Sequence, residues 1–317
     1  MSAGRCVITV GTFDGVHLGH RALLAAARRQ QQQRGAEQVV AVSFDQHPMA
    51  VLRPQRPVSL LTDRAQQDAA LQGPEGSGAR ADRVHRLVAD AELFRLSPRE
   101  FALRMVDELG PVAWVEGPDF RFGRGREGDV ALLAELGEEL GFAVEVIPPV
   151  EVTLRDKSRA AVSSSLVRWL VHQGRMADVH LCLGRPFALR GEVVAGDRRG
   201  REIGFPTANL DTPGRTLPAD GVYGGWTELD GRKLAVAASV GTKPTFAPSA
   251  RVVEAHLLDF DGDVYGRTLE VRLVRWLRDQ VAFAGVEALV EQMNRDVAEV
   301  RRLYARDLLN AAELAVA

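Results

Sequence analysis

Gly11-Thr12-Phe13-Asp14-Gly15-Val16-His17-Leu18-Gly19-His20 sets the architecture of the first half of the chain. An apolar run at residues 6–10 precedes it and a helical pattern at 18–29 follows, so the stretch is a turn from strand into helix. Unpaired N–H groups and the positive end of the helix dipole favour an anion at such a turn. His17 and His20 lie three apart and can point to one side, while Gly11, Gly15 and Gly19 let backbone approach a ligand. On these residues alone, a tight turn with two surface histidines stays open beside a phosphate site.

Outward from this turn, β-rich runs at 39–44, 112–116 and 142–147 alternate with helical patterns, among them 98–109 and a helix capped by Asp129. This alternation predicts a parallel sheet with helices on its faces, whose ligands bind beyond the strand carboxyl ends, where Thr12, His17 and His47 gather. Residues 72–82, rich in Gly and charge, read as an exposed loop. From Pro186 the pattern changes. Alternating stretches at 187–194, 222–229, 234–240, 252–260 and 269–277 predict a small antiparallel barrel. A last helix presents Val286, Leu289, Val290, Met293, Val297, Val300 and Leu303 as one apolar face, expected to pack on the barrel. The Leu183-Gly184-Arg185-Pro186 turn divides the domains, 1–183 and 184–317.

With 317 residues, two full cores are affordable, and 46% hydrophobic and 26% charged residues describe a soluble globular protein. Forty basic against 42 acidic residues leave a net charge of −2, with no general attraction to nucleic acid or anionic membrane. The clusters Arg121-Arg124-Arg126 and Arg198-Arg199-Arg201 could still grip phosphates. Cys6 and Cys182 lie in apolar surroundings without metal-ligand spacing and read as buried free thiols of a reducing compartment. With no signal-peptide pattern and no membrane-spanning stretch, a cytoplasmic protein is expected, as a monomer or weak homo-oligomer.

Ser163-Ser164-Ser165 opens a further helical pattern with Arg168 one turn in. Simple N-capping explains the serines; beside the histidine turn, hydroxyls, N–H groups and a guanidinium also suit leaving phosphates. The histidine turn, Phe44-Asp45-Gln46-His47-Pro48, Glu116-Gly117-Pro118-Asp119-Phe120-Arg121-Phe122-Gly123 and the serine motif occur in the order, and at separations compatible with, a known family. Together they resemble the adenylyltransferase half of the bifunctional riboflavin kinase/FAD synthetases, with an α/β nucleotidyltransferase-like (Rossmann-like) sheet. The resemblance implies in-line attack by FMN phosphate on the α-phosphorus of ATP, giving FAD and pyrophosphate. It implies charge stabilisation by His17 and His20, and nucleotide binding by Gly11, Thr12, Phe13, Asp14, Ser164, Ser165 and Arg168. His47, Asp119 and Phe120 would bind flavin. The chain departs from the family at Gln46, usually Pro, at Ser165, usually Thr, and through residues 71–90.

In the second half, Gly200-Arg201-Glu202-Ile203-Gly204-Phe205-Pro206-Thr207-Ala208-Asn209 suits a loop over phosphates, though an ordinary turn and strand start also accounts for it. Thr207 and Asn209 face one way on an extended segment and offer hard oxygen ligands suited to magnesium. Alternation places Glu254, His256 and Leu258 on one strand face, where a carboxylate needs either a salt bridge or a task. With residues 217–223, 241–246 and Tyr265-Gly266, these segments resemble the all-β riboflavin kinase half of the same family. The resemblance implies Mg2+ held by Thr207 and Asn209, ATP along Gly200, Gly204 and Pro206, and Glu254 as base for the ribityl hydroxyl. Arg278 and Phe283 would close over flavin, and Lys243 stands where relatives often have Asn or Arg. A paralogue that keeps one step or takes a flavin analogue, and a non-catalytic flavin- or nucleotide-binding regulator, are the other readings.

Overall fold

The computed structural model describes residues 5–56, 58–74, 76–196, 199–242 and 251–316. Lys243 and Arg198 lie outside the described residues. The chain divides into two compact units, Met1–Thr153 with Lys157–Ser164, and Leu154–Asp156 with Ser165–Ala317.

The first unit runs β1 (Cys6–Val10), α1 (Leu18–Arg34), β2 (Gln38–Phe44), α2 (Pro48–Leu52), α3 (Arg64–Gln72), β3 (Arg83–Leu87), α4 (Pro98–Leu109), β4 (Pro111–Glu116), α5 (Val130–Leu140) and β5 (Ala143–Val146). A two-stranded ribbon, β6 (Glu151–Thr153) and β7 (Arg159–Ala161), follows. The five longer-range strands form the parallel sheet expected, in the order β3-β2-β1-β4-β5. Both faces are covered, so β1 is buried along its whole length and apolar except for Thr9: Ile8 and Val10 pack with Trp114, Phe101 and Met105, while Val7 packs with Leu24, Ala27 and Leu71. The helix ends follow the local chemistry. Ser97 and Glu100 form a capping box around Pro98 at the start of α4, Gly110 takes the left-handed C-cap, and the Asp129 carboxylate accepts from Ala131 and Leu132 N–H at the start of α5. Because successive connections leave β1 in opposite directions, a crevice opens between the ends of β1 and β4.

The second unit holds most of α6 (Ser164–His172), then α7 (Met176–Leu183), β8 (Phe187–Val194), α8 (Arg199–Glu202), β9 (Ala208–Asp211), β10 (Gly221–Leu229), β11 (Arg232–Thr242), β12 (Arg251–Leu257), β13 (Thr268–Arg278) and α9 (Val286–Val316). Its strands close into a barrel, β10-β11-β12-β9-β8-β13, lined in part by Leu189, Val193, Val253, Ala255 and Val271. Helices α6 and α7, ahead of the Gly184 turn, group with this barrel. Ala219 N–H reaches the Val171 carbonyl, and the buried Asp178 carboxylate ties Arg175 to the Arg155 amide. Val297, Val300 and Leu303 of α9 dock on Ala235, Gly224 and Leu258, each fully buried aliphatic side chain contributing about 1.5–3 kcal/mol. Val286, expected on that face, is 60% exposed: it is the first residue of α9, one end short of the docked stretch. Cys6 and Cys182 are free and buried, and burial pushes each thiol up to about 11, so both stay protonated.

Candidate functional site

In the first unit the turn between β1 and α1 is strained. Gly15 (φ 84°) needs its conformation, but Phe13 (φ 48°) and the β-branched Val16 (φ 38°) also lie in the left-handed region, at a cost of about 1–3 kcal/mol each. Buried hydrogen bonds over-determine the shape. The Asp14 carboxylate accepts from the amides of Leu61 (2.9 Å) and Thr62 (3.0 Å), and Gly15 N–H donates to the Thr62 hydroxyl at 3.0 Å. Gln67 Nε2 donates to the Thr12 carbonyl at 2.7 Å, and Ser164 Oγ to the Asp14 carbonyl at 2.7 Å. Phe13 is fully buried beneath Gly11. Gly11 and Gly19 thus make room for the turn's own Phe13 and His17 rings, rather than only for a ligand.

His17 is the N-cap of α1: its Nδ1 accepts from His20 N–H at 3.4 Å, so a neutral ring carries its proton on Nε2. The His20 ring stacks on it, centroids 3.6 Å apart, and meets the edge of Phe13 at 5.1 Å. Two imidazoles are thereby held at the amino end of a 17-residue helix, where an anion is favoured. Ser164 opens α6; Ser165 on the same helix is exposed and Arg168 half-buried.

Beyond the carboxyl ends of β1, β2 and β3 lies a cleft of about 120 Å³ lined by Thr12, Asp14, Gln46, His47, Gln67 and Arg86 among others. Thr12 and His47 meet there as expected, while His17 is not part of the lining. His47 repeats the histidine cap, its Nδ1 accepting from Met49 N–H at 3.2 Å at the start of α2. Gln46 Nε2 donates to the Ala89 carbonyl (3.2 Å) and Asp45 accepts from Ala89 N–H (2.8 Å), so residues 71–90 supply an edge strand and the cleft's outer wall. Asp119 is exposed and lies off this cleft; Phe120 stacks on Phe122, centroids 5.4 Å apart, against Trp114. In the crevice between β1 and β4, the Glu116 carboxyl accepts from Val10 N–H and Trp114 Nε1, each at 2.7 Å. Complete burial pushes this carboxyl well above the usual range.

In the second unit the site is a matter of register. Asn209 of β9 lies opposite Glu254 of β12, which lies opposite Ser239 of β11, so three polar side chains form a row across adjacent strands. Thr207 and Asn209 are half-buried while Ala208 and Leu210 between and beyond them are buried, which confirms that the two share a face. A Cβ on Gly196 would fall 2.2 Å from the Asn209 amide nitrogen, and one on Gly200 3.5 Å from Thr207 Oγ1. Backbone thus lies close against the Asn209 amide. His256 is fixed by Nδ1 at 2.8 Å from the Pro206 carbonyl and by its edge-on contact with Phe205. Thr207, Arg201, Pro206, Ala255 and Tyr265 border a cavity of about 470 Å³, within the range of small-ligand sites. Arg278 and Phe283 come together at 5.6 Å, but the guanidinium also makes a bidentate pair with the buried Asp296 of α9. Asp296, Thr62, Gln67, Arg86 and His256 had not been marked as site residues from sequence. Two of them left a signal: Asp296, a carboxylate among the apolar positions of α9, and His256, on the strand face of Glu254.

A family model described as FAD synthetase matches residues 1–165, and one described as riboflavin kinase matches residues 183–304. The bifunctional riboflavin kinase/FMN adenylyltransferase of Pseudomonas fluorescens is 38% identical over 95% of this chain and 93% of that protein. That of Escherichia coli K12 is 34% identical over 94% and 93%. The crystal structure of a protein described as a macrolide-efflux protein from Streptococcus pneumoniae superposes with a TM-score of 0.83 at 28% identity, covering 95% of both chains. Among the described residues no helix is long and apolar enough to cross a membrane.

Proposed function

The chain belongs to the bifunctional riboflavin kinase/FMN adenylyltransferase family, and from that premise we propose how its residues divide the two reactions. It is a transferase that phosphorylates riboflavin to FMN with one ATP and adenylylates FMN to FAD with a second. The functional halves are 1–183 and 184–317. In the second half Glu254 takes the proton from the ribityl hydroxyl as that oxygen attacks the γ-phosphorus and ADP leaves. General-base help of this kind contributes about 10²–10⁴-fold. Thr207 and Asn209 fit magnesium, since a hydroxyl and an amide oxygen are hard ligands, and Asn209 lies opposite the Glu254 carboxylate. When bound, the ion neutralises phosphate charge. Gly200, Gly204 and Pro206 follow the ATP phosphates, Arg201 adds a cation at the cavity, and Arg278, oriented by Asp296, covers the flavin with Phe283.

In the first half the FMN phosphate attacks the α-phosphorus in line and pyrophosphate departs. His17 and His20 donate toward the charge that builds on the transferring group. Gly11 and Thr12 bring backbone to the nucleotide, Phe13 and Asp14 shape that backbone, and Ser164, Ser165 and Arg168 hold the triphosphate. His47, Asp119 and Phe120 bind the flavin. On this reading the partners are riboflavin, FMN and ATP, with no nucleic acid or membrane, in a cytoplasmic monomer or weak homo-oligomer.

The observation that carries the reading is the co-occurrence on one chain of both family matches, over residues 1–165 and 183–304. Incubation with riboflavin, ATP and magnesium, with products separated by chromatography, is expected to yield FAD. FMN alone would show that one step has been lost, and neither product would sink the assignment.

A further inference from the structure

The strained turn is held partly by a side-chain relay that starts on β3. Arg86, only 13% exposed in its side chain, donates through one guanidinium nitrogen to the Phe44 carbonyl (3.0 Å) and to Gln67 Oε1, and through the other to Asp68. Gln67, 8% exposed, spends its amide nitrogen on the Thr12 carbonyl at 2.7 Å. The amide has one workable orientation, because Arg86 offers only donors and Thr12 only an acceptor. The guanidinium therefore fixes which way Gln67 points, and Gln67 fixes Thr12, one residue ahead of the left-handed Phe13. The bonds from Leu61, Thr62 and Ser164 hold Asp14 and Gly15; the Thr12 carbonyl is held by Gln67 at 2.7 Å and, more loosely, by Ser43 Oγ at 3.5 Å.

We propose that Arg86, acting through Gln67, is a positioning residue for adenylyl transfer: it locks the phosphate-binding turn in its strained form from the edge strand β3. The proposal rests on the assignment of FAD formation to the first half. A short apolar side chain at 86 would leave Gln67 free to rotate and the turn free to relax. The imidazoles that follow would then lose register with the reacting phosphorus. Misplacement by about an ångström can cost about 10²-fold in rate.

The test compares R86M, R86K, Q67E and the double variant R86M/Q67E in the full chain, with FMN and ATP supplied and FAD measured. R86M is expected to lower kcat for FAD formation about 10–100-fold with KM for FMN and ATP nearly unchanged. FMN formation from riboflavin in the same preparation should be unaffected. R86K, which keeps the charge but not the fork, should recover part of the loss. Q67E keeps the partner of Arg86 and removes the donor to Thr12, so it should match R86M in kcat, with undiminished FMN formation in the same preparation. The double variant should lose no more than the worse single one, since the two act as one unit. Wild-type kcat in Q67E, or losses that multiply in the double variant, would overturn the relay. If R86M fails to fold, Q67E decides alone. A wild-type chain that makes FMN but no FAD would overturn the assignment beneath the proposal rather than the relay's geometry.

Discussion

The two halves prepare for the same cosubstrate in opposite ways. The first unit bends a short turn into a conformation that Phe13 and Val16 resist, then holds it with bonds from residues about 50 and 150 positions away. In the second unit Asn209, Glu254 and Ser239 need no such strain: none of the three takes a positive φ. Antiparallel register places Asn209, Glu254 and Ser239 side by side, and the missing side chain of Gly196 makes room for the Asn209 amide. A site built on strain depends on remote fasteners; a site built on register depends on the strands that carry it.

The sharpest way to break the comparison is one substitution in each half. Glu254→Gln should cost about 10²–10⁴-fold in FMN formation and leave conversion of supplied FMN to FAD intact. His20→Ala should do the reverse, at about 10²–10³-fold, because it removes a group that acts on charge in the transition state. Steady-state assays of each step on each variant give the result. Loss of both activities in either variant would mean that the halves do not work independently.

A smaller effect probes register directly. Gly196→Ala places a methyl group about 2.2 Å from the Asn209 amide, which must shift to accommodate it. FMN formation should fall about 10-fold, mainly in the magnesium concentration needed for half-maximal rate, while FAD formation is unchanged. A magnesium titration of the kinase step that superposes on the wild type would remove Gly196 and Asn209 from the metal's surroundings.

This contrast also explains what could be read from the sequence. Register is periodic, so alternation located five of the six barrel strands and put Glu254 with His256 on a shared face. Capping is local, so Asp129 and the serine-led helix were legible too. Strand β3 was not. Arg83-Val84-His85-Arg86-Leu87 carries charges because it is an edge strand, and charge there hides the apolar pattern. The four-residue β9, the ribbon β6–β7 and the short α2 are too brief for periodicity to show. His17 and His47 as helix caps escaped notice because histidine is not among the preferred capping residues. The fasteners were the least visible of all: nothing local at Asp14 announces Leu61 and Thr62, or at Thr12 announces Gln67.

The smallest effect concerns a proton. Glu116 lies in the crevice between β1 and β4, fully buried, accepting from Val10 N–H just ahead of the strained turn. Burial raises its folded pKa above the unfolded value, so the native state holds the extra proton. Its contribution to stability is complete below the unfolded pKa, near 4.5, and is lost as pH rises through the folded value. Each unit of separation corresponds to about 1.4 kcal/mol. Glu116→Gln does not titrate and keeps an acceptor for Val10 and Trp114. The thermal midpoint of the variant relative to the wild type should therefore climb between pH 5 and pH 8. Parallel midpoint curves across that range would show that Glu116 carries no proton of consequence, and that this crevice holds its strand ends by packing alone.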